Sequence, residues 1–164
     1  MASHPYSPEV PIIRNTVIRR PRLISQLELA AQHPLTLVTG PPGYGKTTLA
    51  AQFARHTAHA VAWHTVEERE RDVPNLIAHA LSVLSYVAPN LQASAAKRDS
   101  ATPSESVAEI TQQLRTASLD VLFYILDDTQ HLIGSPGAEA WLRSLVAQLP
   151  PTCHLILIGR ALPN

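Results

Sequence analysis

The sequence has little of what defines several large classes of protein. One cysteine in 164 residues cannot form an internal disulfide, and this usage fits a reducing cytoplasm. Acidic and basic residues number 13 each, and only 16% of residues are charged, which argues against a broad electrostatic surface for nucleic acid. No run approaches about 18 apolar residues, and the N-terminus has prolines but no apolar core, so we expect neither a membrane span nor a signal peptide.

Side chains that often carry chemistry are few or scattered. The single thiol, Cys153, precedes an apolar strand, and we interpret it as a small core residue rather than a nucleophile. The eight histidines show no H-x-x-x-H spacing and the chain has no C-x-x-C, so we interpret them as structural or surface groups. The charged stretch over residues 67–72 is most simply a solvated loop.

One segment matches a known phosphate-binding pattern, G-x-x-x-x-G-K-[ST]. Its glycines let the backbone wrap closely around phosphates, and the following helix points its positive end at the same place. The Lys46 ammonium would reach the β- and γ-phosphates, and the Thr47 hydroxyl would be a Mg²⁺ ligand. The residues predicted to bind the nucleotide here are Gly40, Pro41, Pro42, Gly43, Tyr44, Gly45, Lys46, Thr47 and Thr48.

The elements around this loop are those that the motif requires. A β-prone run over 35–39 precedes it, and a helical pattern over 48–56 follows it. Apolar runs over 61–66, 121–126 and 154–158 predict three more strands. Helices are predicted over 21–32, from a cap at Asp72 to about 88, from a Thr102 capping box to about 114, and over 138–149.

Strands that alternate with helices predict an α/β fold. We expect a P-loop NTPase three-layer sandwich, with a parallel sheet between helices. Residues 1–16 are predicted to be an extended arm, and 17–164 to be the nucleotide-binding domain. Residues 89–101 are small and polar, and we expect them to be mobile.

A second nucleotide signature follows the third predicted strand. Asp127 and Asp128 come directly after an apolar run, as in a Walker B motif. Asp127 would hold Mg²⁺ opposite Thr47, and Asp128 could orient or deprotonate the attacking water. The alternative is a strand that simply ends in aspartate at a turn.

Arginines supply the remaining candidates. Arg160 follows the last strand, where a guanidinium could touch the γ-phosphate and distinguish ATP from ADP, unless it is only a surface residue. Four arginines cluster upstream of the loop, at positions 14, 19, 20 and 22. They could contact DNA phosphates or form a solvated face, but we favour an arm beside adenine and ribose, with Val17 and Ile18 against the base.

Taken together, these residues resemble the STAND-class NTPase domain of MalT-like, large LuxR-type ATP-dependent regulators. The resemblance covers about residues 10–164. Its motifs are Arg20-Pro21-Arg22-Leu23, Gly43-Tyr44-Gly45-Lys46-Thr47-Thr48-Leu49, the Trp63 strand followed by Glu67, Leu126-Asp127-Asp128 with His131-Leu132-Ile133, and Ile158-Gly159-Arg160-Ala161-Leu162-Pro163.

The resemblance implies a regulatory switch. In such proteins ADP holds a closed monomer, ATP with an inducer opens it, and the open form self-associates before slow hydrolysis resets it. Carried over, Lys46 and Thr47 grip the phosphates and Mg²⁺, Asp127 supports the metal, Asp128 is the hydrolytic acid and Arg160 senses the γ-phosphate. Val17, Ile18 and Arg20 would lie by the adenine.

The sequence also departs from this family. Gly159 stands where serine is more usual, and the stretch over 67–72 lacks the family's Leu-Asp. Only four strands are predicted, so we expect a fold cut after its fourth core strand, with its first strand at a sheet edge. The family's lid, sensor repeats and DNA-binding helix-turn-helix are not in this sequence, so DNA contact would need those domains.

Two other functions stay open at this point. A small P-loop kinase would need an acceptor site and a lid with arginines, for which only Arg69, Arg71 and Arg98 stand in long polar segments. An AAA+-type ATPase would need an arginine finger from a second subunit. The absence of an N/T-K-x-D motif leaves the preference for adenine resting on the resemblance.

Overall fold

Four parallel strands form the sheet at the centre of the fold. The structure is a computed structural model, and it describes residues 9–14, 17–89, 91, 102–117 and 119–161. The strands are β1 (Leu35–Thr39), β2 (Ala60–Thr65), β3 (Leu122–Asp127) and β4 (Cys153–Gly159). They lie in the order β1-β4-β3-β2, and every pairing is parallel. The predicted α/β fold with a parallel sheet is therefore confirmed.

Five α-helices connect the strands. They are α1 (Pro21–Glu28), α2 (Lys46–Ala54), α3 (Val73–Ser85), α4 (Pro103–Thr116) and α5 (Pro136–Gln148). Short 3-10 helices cover Leu29–Gln32, Glu68–Arg71 and Thr129–Leu132. None of the helices in the described part of the chain has the length and apolar character to cross a bilayer.

Both faces of the sheet are covered, which completes the predicted three layers. Alternate strand residues such as Val61 and Phe123 pack with α1 and α2 on one face. Their neighbours Ala62 and Tyr124 belong to the other face, under α3, α4 and α5. Because both faces are buried, β3 and β4 are apolar almost throughout, as the unbroken runs predicted.

The topology gathers the functional motifs at one edge. All four strands run in the same direction, so their carboxyl ends share one rim of the sheet, where ligands bind in open α/β folds. The P-loop follows β1, Asp127 ends β3, and Arg160 follows β4. Within the described residues β1 is an outer strand, as expected, and Leu37 on it is 50% exposed.

The segment after β2 is not the solvated loop expected from its charges. It forms the 3-10 helix over 68–71, closed by a capping box in which Glu67 and Glu70 each bond to the other's backbone. Glu70 is fully buried, because two histidines supply partners for its carboxylate. Asp72 is the N-cap residue of α3, as predicted, but its side chain makes no cap bond to the backbone and accepts from the Asn75 side chain instead.

The other helix start is as predicted. Thr102 Oγ1 accepts from the Glu105 backbone N–H over 3.3 Å, and Glu105 accepts from the Thr102 backbone N–H over 2.7 Å. The segment expected to be mobile, apart from 89 and 91, lies outside the described residues, as do 1–8 and 15–16 of the expected arm. Within that arm, Val10 is buried against the core under α1 and α2.

Candidate functional site

The P-loop turns the chain from β1 into α2 through left-handed backbone. Gly43 and Gly45 have φ of +79° and +75°, a region that side-chain-bearing residues rarely adopt. Gly45 is the residue before the first turn of α2, which begins at Lys46. The unpaired N–H groups of that turn therefore face the mouth of the loop, where an anion would bind.

Lys46 is the first residue of α2, and its side chain reaches back to the start of the P-loop. Its ammonium donates to the carbonyl of Gly40 over 2.8 Å and to that of Pro41 over 3.0 Å. These bonds fold the lysine along the loop, with its charge near the mouth. A phosphate would offer stronger acceptors to the same ammonium than the two carbonyls do.

The structure brings the two nucleotide motifs into direct contact. Thr47 Oγ1 donates to Asp127 Oδ1 over 3.1 Å, although 80 positions separate the residues. Asp127 is 3% exposed, and burial raises the pKa of its carboxyl, while the hydrogen bond from Thr47 acts to lower it. A buried carboxylate beside a hydroxyl is the oxygen donor set that Mg²⁺ prefers, so this pair fits the metal that the fold implies.

Asp128 occupies the turn just beyond β3. Its backbone is left-handed, with φ of +58°, and its N–H donates to Asp127 Oδ1 over 3.0 Å. The Asp128 carboxylate accepts from the side-chain amide of Gln130 over 2.9 Å. The two neighbouring carboxylates therefore have different partners, Thr47 for Asp127 and Gln130 for Asp128.

Gln130 is a site residue that sequence reasoning missed. Besides holding Asp128, its amide oxygen accepts from the Arg160 backbone N–H over 3.2 Å. One side chain thus joins the end of β3 to the end of β4. No motif marks this glutamine, since its role depends on how close the two strand ends lie.

Gly159 explains why the strand ends approach so closely. Thr129 Oγ1 donates to the Ile158 carbonyl over 3.1 Å and fills the space beside Gly159. A Cβ at position 159 would lie 2.6 Å from the Ala161 carbonyl oxygen and 2.7 Å from Thr129 Oγ1. The side chain of Thr129 therefore occupies the space that a serine side chain at position 159 would need. Arg160 itself is exposed at the rim.

The arm runs beside the P-loop, where the adenine pocket was expected. Arg20 donates to the Tyr44 carbonyl over 3.1 Å, and Gln52 of α2 donates to the Ile18 carbonyl over 3.2 Å. Between arm and helix lies a cavity of about 220 Å³. Its lining includes three residues of the predicted pocket, Val17, Ile18 and Arg20, together with Gly45, Thr48, Leu49 and Gln52.

The other arginines of the cluster do not line this cavity. Arg19 is hydrogen-bonded to His56, and Arg14 and Arg22 are exposed. A second cavity of about 440 Å³ follows the outer strand β1 and also reaches Tyr44 and Lys46. Pro41 and Pro42 are exposed on the rim of the loop.

The sheet order, the loop and the aspartate that meets it define a P-loop NTPase domain of the α/β class. Residues 16–158 match the family described as "AAA ATPase domain". Because this match spans most of the chain, the protein belongs to the AAA ATPase domain family.

Similarity to transcription regulators is equally extensive along this chain. It is 28% identical over 156 residues to the HTH-type transcriptional regulator MalT of Yersinia pestis (strain Pestoides F), and 30% identical to that of Cronobacter sakazakii (strain ATCC BAA-894). Each alignment covers 93% of this chain and 17% of the regulator. The resemblance to the P-loop NTPase domain of MalT-like regulators is confirmed. The chain spans about one sixth of those regulators' length.

A solved structure with the same fold is the Orc1 protein of Aeropyrum pernix, determined in complex with DNA. It superimposes with a TM-score of 0.55 at 21% identity, over 93% of this chain and 41% of that one. This identity is low, so the likeness establishes the fold alone.

Proposed function

We propose that this domain is an ATP/ADP-binding switch module with slow, Mg²⁺-dependent ATP hydrolysis, from a signal-responsive MalT/LuxR-like regulator. The observation that carries the proposal is the 3.1 Å contact between Thr47 and Asp127. It brings a hydroxyl and a buried carboxylate together beside the loop, along which the Lys46 ammonium lies. When bound, Mg²⁺ supplies positive charge to the phosphate oxygens.

Each of the other site residues has its own role in the proposed function. Lys46 and the N–H groups of the first turn of α2 bind phosphate. The cavity beside Gly45 receives the base, with Ile18 and Val17 as its apolar wall. Asp128, held by Gln130, orients the attacking water or takes its proton. Arg160 reports on the γ-phosphate from the end of β4.

The switch function is favoured over a kinase by where two arginines lie. Arg69 pairs with Glu67 over 2.7 Å, and Arg71 donates to the Gly134 carbonyl over 3.4 Å. In these contacts both arginines bond to residues of the segment after β2 or of the turn before α5, and neither bonds to the P-loop. Arg98, the third candidate, lies outside the described residues.

Partners follow from the proposed switch. The ATP form would self-associate, and contact with DNA would require further domains of a regulator. Such a protein would work in the cytoplasm, where ATP and a reduced Cys153 are both expected.

Calorimetric titration of the nucleotide-stripped chain with ATP, ADP and GTP, each with Mg²⁺, tests the proposal. We expect adenine nucleotides to bind at one site and GTP to bind much more weakly, because the cavity beside the arm receives adenine. Equal binding of GTP would contradict the adenine pocket. The absence of all binding by a chain that still melts cooperatively would contradict the function.

A further inference from the structure

Three titratable side chains meet under the sheet, outside the nucleotide site. His64 lies on β2, Glu70 in the 3-10 helix that follows, and His79 on α3. The side chains of His64 and Glu70 are fully buried, and that of His79 is 17% exposed. Among the described residues this is the one group of three or more histidine, cysteine and acidic side chains close enough to share an ion.

The carboxylate of Glu70 lies between the two imidazoles. Glu70 Oε2 is 2.6 Å from His64 Nε2, and Glu70 Oε1 is 2.6 Å from His79 Nδ1. One ligand-type atom from each residue falls within 4.8 Å of the other two. Ligands of a tetrahedral zinc ion lie roughly 3.3 Å apart, given metal–nitrogen bonds of about 2.0 Å. Small side-chain shifts would therefore suffice to place an ion among them.

The far side of each ring is also fixed. The Tyr124 hydroxyl is 2.7 Å from His64 Nδ1, and Glu9 Oε1 is 2.9 Å from His79 Nε2. Imidazoles that bind metals nearly always have such a partner on their second nitrogen, which sets the orientation of the ring. Here both histidines have one, and each presents its remaining nitrogen to the same carboxylate.

Charge favours a dication at this place. Glu9 and Glu70 contribute two carboxylates, and an ion that binds the rings displaces their protons, so that the imidazoles then contribute no charge. A divalent ion would balance both acids within a partly dry pocket, where unbalanced charge is costly. Two imidazoles and one carboxylate suit zinc-like transition metals, whereas Mg²⁺ and Ca²⁺ prefer all-oxygen ligands.

We propose that His64, Glu70 and His79 bind a zinc-like transition-metal dication, through His64 Nε2, His79 Nδ1 and the Glu70 carboxylate. Tyr124 and Glu9 orient the two rings. The ion clamps β2, the segment after it and α3 together, and through Glu9 it fastens the arm to this side of the domain. The site shares no residue with the Thr47–Asp127 pair and needs no nucleotide.

The test uses the full chain without an affinity tag, stripped with a chelator and titrated with Co²⁺ in the absence of nucleotide. We expect one Co²⁺ per chain with the visible absorption of a four-coordinate ion, displacement by Zn²⁺, and a higher melting temperature when metal is bound. A chain that shows no such spectrum and no stabilisation would overturn the proposal.

Variants assign the ion to these residues. His79→Gln removes the most exposed ligand and is expected to weaken Co²⁺ binding at least roughly tenfold. His33→Gln, at an exposed histidine in a connecting segment, is the matched control and should bind like the parent. Equal affinity of His79→Gln and the parent would refute the assignment.

Two further variants keep the test decisive. If His79→Gln fails to fold, Glu9→Gln weakens only the outer partner of His79, and we expect a loss of roughly tenfold. Asp127→Asn removes the carboxylate of the proposed Mg²⁺ site and should bind Co²⁺ like the parent, which separates this site from the proposed function. Co²⁺ binding that disappears in Asp127→Asn would place the ion at the P-loop and overturn the proposal.

Discussion

Thr47 and Asp127 share a hydrogen bond of 3.1 Å that closes the gap between α2 and β3. The contact forms because α2 starts, and β3 ends, at the same rim of a parallel sheet. It holds a hydroxyl against a carboxylate. The two oxygen donors of the proposed Mg²⁺ site are therefore adjacent and positioned by the fold.

Thr47→Val should remove the Mg²⁺ dependence of ATP binding. Valine keeps the shape of threonine but has no oxygen to offer the metal. We expect ATP affinity with Mg²⁺ to fall toward its value in EDTA, by roughly tenfold or more. Thr116→Val, at an exposed threonine at the end of α4, is the control. Calorimetry in Mg²⁺ and in EDTA checks this, and an unchanged ratio between the two conditions would contradict the role of Thr47.

Lys46→Ala should abolish measurable nucleotide binding. The substitution removes the charge that faces the phosphates, a loss of roughly 100-fold or more in affinity. Because the ammonium bonds only to loop carbonyls among the described residues, the fold should persist. Arg115→Ala removes an exposed positive charge from α4 and should bind ATP like the parent. Undiminished affinity in Lys46→Ala would rule out this loop as the phosphate site.

Asp128→Asn should keep binding but slow hydrolysis, by roughly 100-fold if this carboxylate is the general base. Asparagine tolerates the left-handed backbone at this position at least as well as aspartate. The amide can still accept from Gln130, so the turn should survive. Asp120→Asn, at the exposed opposite end of β3, is the matched control. Phosphate release at the parental rate in Asp128→Asn would show that another group activates the water.

Much of this fold could be predicted because its signals are local. The apolar runs of β3 and β4, and the Thr102 capping box, depend on residues close in sequence. The P-loop motif is equally local, since one short segment contains all of its defining residues. The meeting of Thr47 with Asp127 also followed, because parallel strands bring their carboxyl ends to one rim.

What sequence reasoning missed depends on distant contacts. The sequence shows the charges of the stretch over 67–72 but not the residues that pair with them, so it predicts a solvated loop there. Glu70 is buried only because His64 and His79 reach it from β2 and α3. Their spacing matches no metal motif, so the sequence gives no reason to group these two histidines. Gln130 was missed for the same reason, since its partners follow two different strands.

Gly159→Ser should destabilise this protein, although serine is more usual at this position in the MalT-like regulators that the chain resembles. The added Cβ would lie 2.6 Å from the Ala161 carbonyl oxygen, which is backbone and cannot rotate away. We expect the free energy of unfolding to fall by about 1–3 kcal/mol. Ala161→Ser, at an exposed neighbour, adds a hydroxyl without this overlap. Urea denaturation compares them, and equal stability of Gly159→Ser and the parent would disprove the steric explanation.

The cluster of Glu70 and His79 should make the metal-free chain's stability depend on pH. Burial alone would raise the pKa of Glu70, but its hydrogen bonds to His64 and His79, and their charges, lower it to about 2. Hydrogen bonds to Glu70 and Glu9 raise the pKa of His79 to about 9. The Glu70 contribution is thus complete above its ordinary pKa of 4.5 and is lost as pH falls toward 2. The His79 contribution is complete below 6.5 and is lost as pH rises through about 9.

Both contributions are therefore complete only between pH 4.5 and 6.5. In a chelator, the parent should exceed His79→Gln in stability most clearly at about pH 5.5, and the gap should narrow by about pH 9.5 as the imidazolium loses its proton. His33→Gln is the control, because that side chain is exposed and lies outside the cluster. Urea denaturation of all three chains at the two pH values measures the gaps. A gap that stays constant would mean that His79 is neutral in the folded chain and that packing alone holds it beside Glu70.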